Sequence, residues 1–368
     1  MALDHGDLGN GQFRSRLAAQ VAKRNSGDVV IIENFVLDAL IVLQEDLSIV
    51  AVAAPSFVPL PDFVRSVPPP GPPLVEGILE LGNLYGAVSK PKVGKTILCM
   101  NLAAAIAGGK HWLGRPVTNG RVCFFQLEDS ARTLTRRFEA MTGGTLPSDL
   151  LLHTAPFRLL DENYDATVAA CKGAILVICD PIIQASEVRD WNSQFEVREL
   201  YDRLRRLARD TDATVVVAAH ARKQEGEFGD AMAGSIQAQA AVDGILELTR
   251  DRSLERSERR LSFVGRDWAE MDAEVVRLDV DTMTWHSAGS FTEAKEQARE
   301  ARAQADAVLV LDVLPGADSD ALRYDAIGEK TGLSIDRMRA ALQSLGDQVT
   351  EHGKRGSASD PIRFSRRV

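Results

Sequence analysis

Cysteine is scarce in this chain: four residues in 368 (Cys99, Cys123, Cys171 and Cys179), with no C-x-x-C pair among them. That excludes a zinc knuckle and a disulfide framework, and three of the four sit in apolar runs, as thiols of a reducing cytoplasm do. No window reaches the apolar length of a membrane span, and the first ten residues lack the basic start and apolar stretch of a secretory leader. A surplus of basic charge is missing too: 43 Lys and Arg stand against 52 Asp and Glu, a net charge of −9. Such a balance argues at first against a nucleic-acid partner, whose phosphates draw on lysine and arginine. The average hides an asymmetry, because residues 321–368 carry nine basic against six acidic side chains. With 45% hydrophobic and 26% charged residues the chain is too apolar to be disordered, and its length favours more than one domain.

Prolines mark the first boundary. Pro68-Pro69-Pro70-Gly71-Pro72-Pro73 can neither continue a helix nor pair in a central strand, and reads as a stiff spacer. Residues 1–67 are then an N-terminal accessory region, in which the Val/Ile/Leu-rich stretch 29–54 forms a helix or two strands, and 68–75 is the linker. From 76 to 289, β-branched runs alternate with helical patterns: Asn83 to Val88, Arg121 to Leu127, Ala174 to Cys179 and Thr214 to Ala219. Further strands follow at Gly244 to Thr249, Leu261 to Val264 and Val275 to Val280. Alternation of this kind predicts an α/β fold, a mainly parallel sheet covered by helices. One helix shows its face directly, with Val197, Leu200, Leu204 and Leu207 on one side. Residues 290–302 read as a solvated helical connector. Residues 303–368 give helices at 303–314, 324–331 and 334–345, the last with Ser334 as N-cap and an apolar stripe of Ile335, Met338, Leu342 and Leu345. A hairpin with its tip at Gly353-Lys354-Arg355-Gly356 completes the pattern of a winged helix-turn-helix.

The chemistry begins at Ser89-Lys90-Pro91-Lys92-Val93-Gly94-Lys95-Thr96, between a strand and the helical Ile97 to Ala103. A strand, a tight loop and a helix N-terminus aim backbone N–H groups at phosphate. In this P-loop Ser89, Lys92, Val93, Gly94, Lys95, Thr96 and Ile97 are the nucleotide-binding residues, Lys95 reaching the β- and γ-phosphates of ATP and Thr96 ligating Mg²⁺. Ser89 stands where the P-loop pattern has its first glycine. Asp180 ends a buried strand, placed either to hold the Mg²⁺ shell with Thr96 or only to cap the turn before Pro181. Glu128 ends another, placed either to polarise the attacking water or, with Asp129 as N-cap, merely to open the next helix. His220 ends a third, as a γ-phosphate sensor or as an ordinary core histidine.

The order of these residues, with Gly109-Lys110-His111-Trp112-Leu113-Gly114-Arg115-Pro116-Val117, Gly120-Arg121-Val122, Leu127-Glu128-Asp129, Arg136-Arg137-Phe138, Asp180-Pro181, His220-Ala221-Arg222-Lys223 and Gly234-Ser235, resembles the RecA-like AAA ATPases of the RepA type, relatives of hexameric DnaB-like replicative helicases. The resemblance runs from about Pro72 to Asp281. It implies a RecA-like P-loop core in which Glu128 is the catalytic base, Asp180 the Walker B acid and His220 the γ-phosphate sensor. It also implies a homo-oligomeric ring, a hexamer, whose neighbouring subunit supplies an arginine. Arg266 is the candidate finger, with Arg260 behind it, although the arginines at 250, 252, 256 and 259 read equally as a solvated basic face. Loops 185–193 and 223–234 would face the channel, where Trp191, Arg222 and Lys223 would contact single-stranded DNA. In the C-terminal unit Arg337 and Arg339 on the third helix, and Lys354 and Arg355 at the wing tip, would meet duplex DNA, unless that unit serves a protein partner. The expected protein is a cytoplasmic DNA-acting ATPase of a plasmid, phage or mobile element, working as a motor. The competing readings are an ATP-switched regulator or initiator, or a recombination or defence-system ATPase.

Overall fold

The structure is a computed structural model describing residues 30–31, 39–43, 49–53, 57–67, 71–221, 236–265, 271–316, 318–354 and 360–367. The chain divides into two compact units, Met1–Pro70 and Gly71–Val368. In the first, strands β1 (Val30–Ile31), β2 (Ala39–Leu43) and β3 (Ile49–Ala53) pair antiparallel in that order, so the apolar stretch left open between helix and strands is strand. A short helix, α1 (Leu60–Ser66), follows and buries none of its residues.

The second unit is built on a nine-stranded sheet. Its strands are β4 (Leu84–Ser89), β5 (Arg121–Gln126), β6 (Leu150–His153), β7 (Ala174–Asp180), β8 (Thr214–His220), β9 (Gly244–Thr249), β10 (Glu258–Gly265), β11 (Glu274–Asp279) and β12 (Thr284–Ser290). Their order is β12-β11-β10-β9-β4-β8-β7-β5-β6. From β9 to β6 every pairing is parallel, and from β9 outward to β12 every pairing is antiparallel. Parallel strands lie between two helical layers, so alternate side chains must both be apolar. In β7 and β8 they are: Leu176, Ile178, Val216 and Ala218 enter one core, while Val177, Cys179, Val215 and Val217 enter the other.

Helix α2 (Lys95–Gly108) covers the first face together with α3 (Ala131–Thr142). The second face receives α4 (Tyr164–Ala170), α5 (Gln194–Thr211) and α6 (Ile236–Ala241). The predicted stripe of α5 is buried, with Tyr201 and Ala208 extending it, and Ser193 caps the helix by accepting from the Glu196 N–H. Leu74 and Val75, assigned to the linker in sequence, are fully buried in the first core. Among the described residues no helix is long and apolar enough to cross a membrane.

The predicted connector and the helix expected to begin at 303 are one continuous helix, α7 (Phe291–Val313), capped by Ser290. Its alanine- and glutamate-rich sequence contains no helix breaker that would separate them. The C-terminal half of α7 packs with α8 (Tyr324–Thr331) and α9 (Ile335–Leu345) on a third core of Val310, Ile327, Met338, Leu342, Leu345 and Phe364. Ile335, expected on that stripe, is instead exposed at the first turn of α9. Ser334 stands at the N-cap without a side-chain hydrogen bond. Strands β13 (Val349–His352) and β14 (Arg363–Arg366) form the antiparallel hairpin.

Candidate nucleotide-binding site

Four parallel strands end side by side at one edge of the sheet, at Ser89 of β4, Gln126 of β5, Asp180 of β7 and His220 of β8. In open α/β sheets this carboxyl edge is where ligands bind. The loop Lys90–Gly94 leaves β4 here and α2 begins at Lys95, so the first N–H groups of α2 and its positive dipole end face the same crevice. Ser89 is buried and still strand, its hydroxyl donating to the Lys90 carbonyl. Lys92 and Gly94 take φ values of 63° and 118°, the conformation that curls the loop back over the helix end. A side chain at position 94 would also meet the Trp285 ring at 2.6 Å, so only glycine fits.

Lys95 is buried, and its Nζ donates to the Ala219 carbonyl at the end of β8 (2.9 Å). Burial presses its pKa down, against the upward pull of Asp180 and Glu128. Asp180 is 1% exposed, and one of its carboxylate oxygens, Oδ2, has no hydrogen-bond partner. Burial pushes its pKa up, opposed by the Lys95 charge and by a hydrogen bond with the Thr96 side chain. A buried, half-satisfied carboxylate beside a hydroxyl offers the oxygen ligands that Mg²⁺ takes. Thr96 and Asp180 therefore fit the cation that accompanies a nucleotide.

His220 also leaves a buried Nδ1 unpaired. Burial first, and the Lys95 charge second, hold its pKa below the usual histidine value, so the ring is neutral at pH 7. Glu128 is exposed at the mouth and interacts electrostatically with Lys95, Asp180 and His220. Its loop is held by a residue that belongs to no motif in the sequence. Gln126 is buried, and its Oε1 accepts from the N–H groups of Glu128 (3.2 Å) and Asp129 (2.8 Å). Asp129 is not the N-cap of α3: Ser130 is, while Asp129 pairs with Arg137. The visible signal was an amide at the end of an otherwise apolar strand.

The structure thus brings together Ser89, Lys92, Val93, Gly94, Lys95, Thr96, Ile97, Glu128, Asp180 and His220 around one loop and helix end. Arg266, Arg222, Lys223 and Arg355 lie outside the described residues. Trp191 is partly buried against the second core rather than displayed, and its loop is knitted by Glu196, which accepts from the Arg189 N–H at 2.7 Å. Arg260 packs over the Phe291 ring (4.7 Å). Arg337 is committed to the buried Asp306 of α7 through a two-pronged ion pair, so this side chain anchors α9 instead of being presented for a ligand. Arg339 and Lys354 are exposed.

Asp180→Asn separates stability from chemistry. Because the folded-state pKa of Asp180 lies above its unfolded value, ionising it costs stability, and the cost sets in as pH rises from the unfolded value through the folded one. The variant should therefore melt about 2 °C or more higher at neutral pH, while losing the oxygen placed to hold the cation. A lower melting temperature by calorimetry would contradict this account of the orphaned oxygen.

Residues 53–226 match a family model described as an AAA domain. Among solved structures, a DnaB-like replicative helicase is 11% identical with a TM-score of 0.48, the match covering 62% of this chain and 66% of that one. A KaiC-like protein from Pyrococcus horikoshii is 14% identical with a TM-score of 0.42, covering 58% and 93%. A solved ATPase domain is 12% identical with a TM-score of 0.46, covering 55% and 84%. The loop, the helix end, the two acids and the histidine all lie within the segment that is similar to the AAA-domain model.

Proposed function

We propose that the chain hydrolyses ATP with Mg²⁺ and couples the hydrolysis to work on DNA, as a RepA- or DnaB-like motor in the replication of a plasmid, phage or mobile element. The observation that carries the ATPase part is the meeting of Lys95, Thr96, Asp180, Glu128 and His220 at one crevice. The loop N–H groups and Lys95 hold the phosphates, and the neutral His220 reports on the terminal one. Glu128, exposed at the mouth, orients water and accepts its proton. Bound Mg²⁺ supplies charge neutralisation across the phosphate oxygens, and Thr96 with Asp180 are the residues that would hold it. Ring assembly, with Arg266 of a neighbouring copy completing each site, belongs to the same reading and rests on the sequence resemblance.

DNA contact is assigned to two places. Residues 185–193 and 223–234 would meet single strands, with Arg222 and Lys223 as the phosphate contacts and Trp191 a weaker candidate given its partial burial. The C-terminal three-helix unit with its hairpin would act as a winged helix on duplex DNA through Arg339, Lys354 and Arg355. Support comes from the basic surplus of residues 321–368 and from the exposure of Arg339 and Lys354. Arg339→Ala combined with Lys354→Ala should weaken duplex binding about tenfold and flatten its salt dependence, with turnover in the absence of DNA unchanged. Unchanged duplex affinity in a binding titration would move the contact elsewhere.

The second reading, an ATP-switched regulator or initiator, uses the same phosphate chemistry and the same C-terminal unit. Strand displacement on a forked duplex separates the two. Mg²⁺- and ATP-dependent unwinding is expected of the motor, whereas duplex binding that changes with nucleotide, without any strand release, identifies the switch.

A further inference from the structure

We propose that Arg259 and Trp285, on the antiparallel side of the sheet, are positioning residues that hold the phosphate-binding loop in its nucleotide-ready shape. The inference rests on the ATP reading above and deepens it. The loop has little of its own to fix it: its first glycine position is Ser89, and the non-glycine Lys92 sits at a φ of 63°, which is costly without outside support.

That support comes from β10 and from the residue just after β9. The Arg259 Nε donates to the Val93 carbonyl (3.1 Å), and the Arg250 Nη2 donates to the Lys92 carbonyl (3.3 Å). In a planar trans peptide the carbonyl and the following N–H point in opposite directions. Tethering these two carbonyls on the β9–β10 side therefore turns the N–H groups of Val93 and Gly94 away from the arginines. Two donors are aimed by two guanidinium groups that need never touch the ligand.

Trp285 supplies the floor. Its ring lies so close beneath Gly94 that a Cβ there would sit 2.6 Å from Cζ2. The backbone that carries the indole is fixed by Asn101 of α2, whose Oδ1 accepts from the Trp285 backbone N–H (2.6 Å) and whose Nδ2 donates to the Met283 carbonyl (3.0 Å). The helix that begins at the loop thus grips the strand that backs it. Arg259 Cζ lies 5.9 Å from the Trp285 ring centroid, joining the two parts of the buttress. Arg259 is buried, and its remaining hydrogen bonds go to the carbonyls of Arg256 (2.8 Å) and Glu258 (2.5 Å). Among the described residues no carboxylate forms an ion pair with it, so its positive charge stays uncompensated behind an anion site.

The test uses the full chain, with Arg259→Gln, Arg259→Lys and Trp285→Phe, each checked for folding by thermal melting. Steady-state kinetics should show Arg259→Gln raising the KM for ATP about tenfold, with a smaller change in kcat, because ground-state and transition-state phosphates lose the same aimed donor, the Gly94 N–H. Arg259→Lys should recover part of that loss, since an ammonium can still donate to the Val93 carbonyl. Wild-type tryptophan emission should change on adding ATP and Mg²⁺, and Trp285→Phe should abolish the change. A folded Arg259→Gln with wild-type KM overturns the assignment while leaving the ATP reading intact. If that variant does not fold, the wild-type emission decides, and emission that ignores a nucleotide the protein turns over is equally contrary. A wild-type chain that binds no ATP overturns the ATP reading itself.

Discussion

Lys95→Ala should lower steady-state ATP turnover by at least about a hundredfold. The ammonium is buried at the head of α2, held at 2.9 Å on the Ala219 carbonyl, where the ends of β4 and β8 meet. Burial works against its charge, and the acids Asp180 and Glu128 only partly restore it. A triphosphate entering the crevice supplies the anion such a buried cation lacks, and the interaction strengthens as charge moves onto the terminal phosphate. Alanine removes that term and leaves Asp180 without its neighbouring cation, so a melting curve must accompany the assay. Near-normal turnover by the folded variant would retire the assignment of the loop.

Glu128→Gln should leave nucleotide affinity within about twofold and cut hydrolysis about a hundredfold or more. The expectation follows from where the carboxylate sits. It is exposed two residues past the end of β5, with its backbone fixed by Gln126. Glutamine keeps the size and the loop geometry but cannot accept the proton of the attacking water. Removing a negative charge beside the phosphates gives no reason for weaker binding. Full hydrolysis in a single-turnover assay would place the base on another residue.

The parallel half of the fold was legible because its strands are buried on both faces and its loops carry chemistry. Runs such as Ala174 to Cys179 and Thr214 to Ala219 are continuous and apolar, and the acid or histidine that follows marks the functional edge. Two strands escaped notice for physical reasons. β6 is an edge strand whose Leu151 and Leu152 remain exposed, and β12 reads Thr-Trp-His-Ser-Ala-Gly-Ser, too polar for a core strand. Yet β12 carries Trp285 under the loop. The roles of Arg259 and Gln126 could not be read either, because each depends on hydrogen bonds between segments that meet only in the folded sheet or on one buried amide among apolar neighbours. Arg337 shows the converse: off the apolar stripe of α9 in sequence, it is tied in the fold to Asp306, 31 residues away.

The central claim is that one crevice, built from Lys95, Thr96, Glu128, Asp180 and His220, powers an action on DNA. Steady-state ATP hydrolysis by the purified chain, with Mg²⁺ and with no DNA, single-stranded DNA or duplex, and with Lys95→Ala as the blank, tests it most directly. The account predicts Mg²⁺-dependent turnover that single strands raise severalfold and that the blank lacks. Turnover no greater than the blank, or turnover indifferent to single strands and to duplex alike, would contradict it.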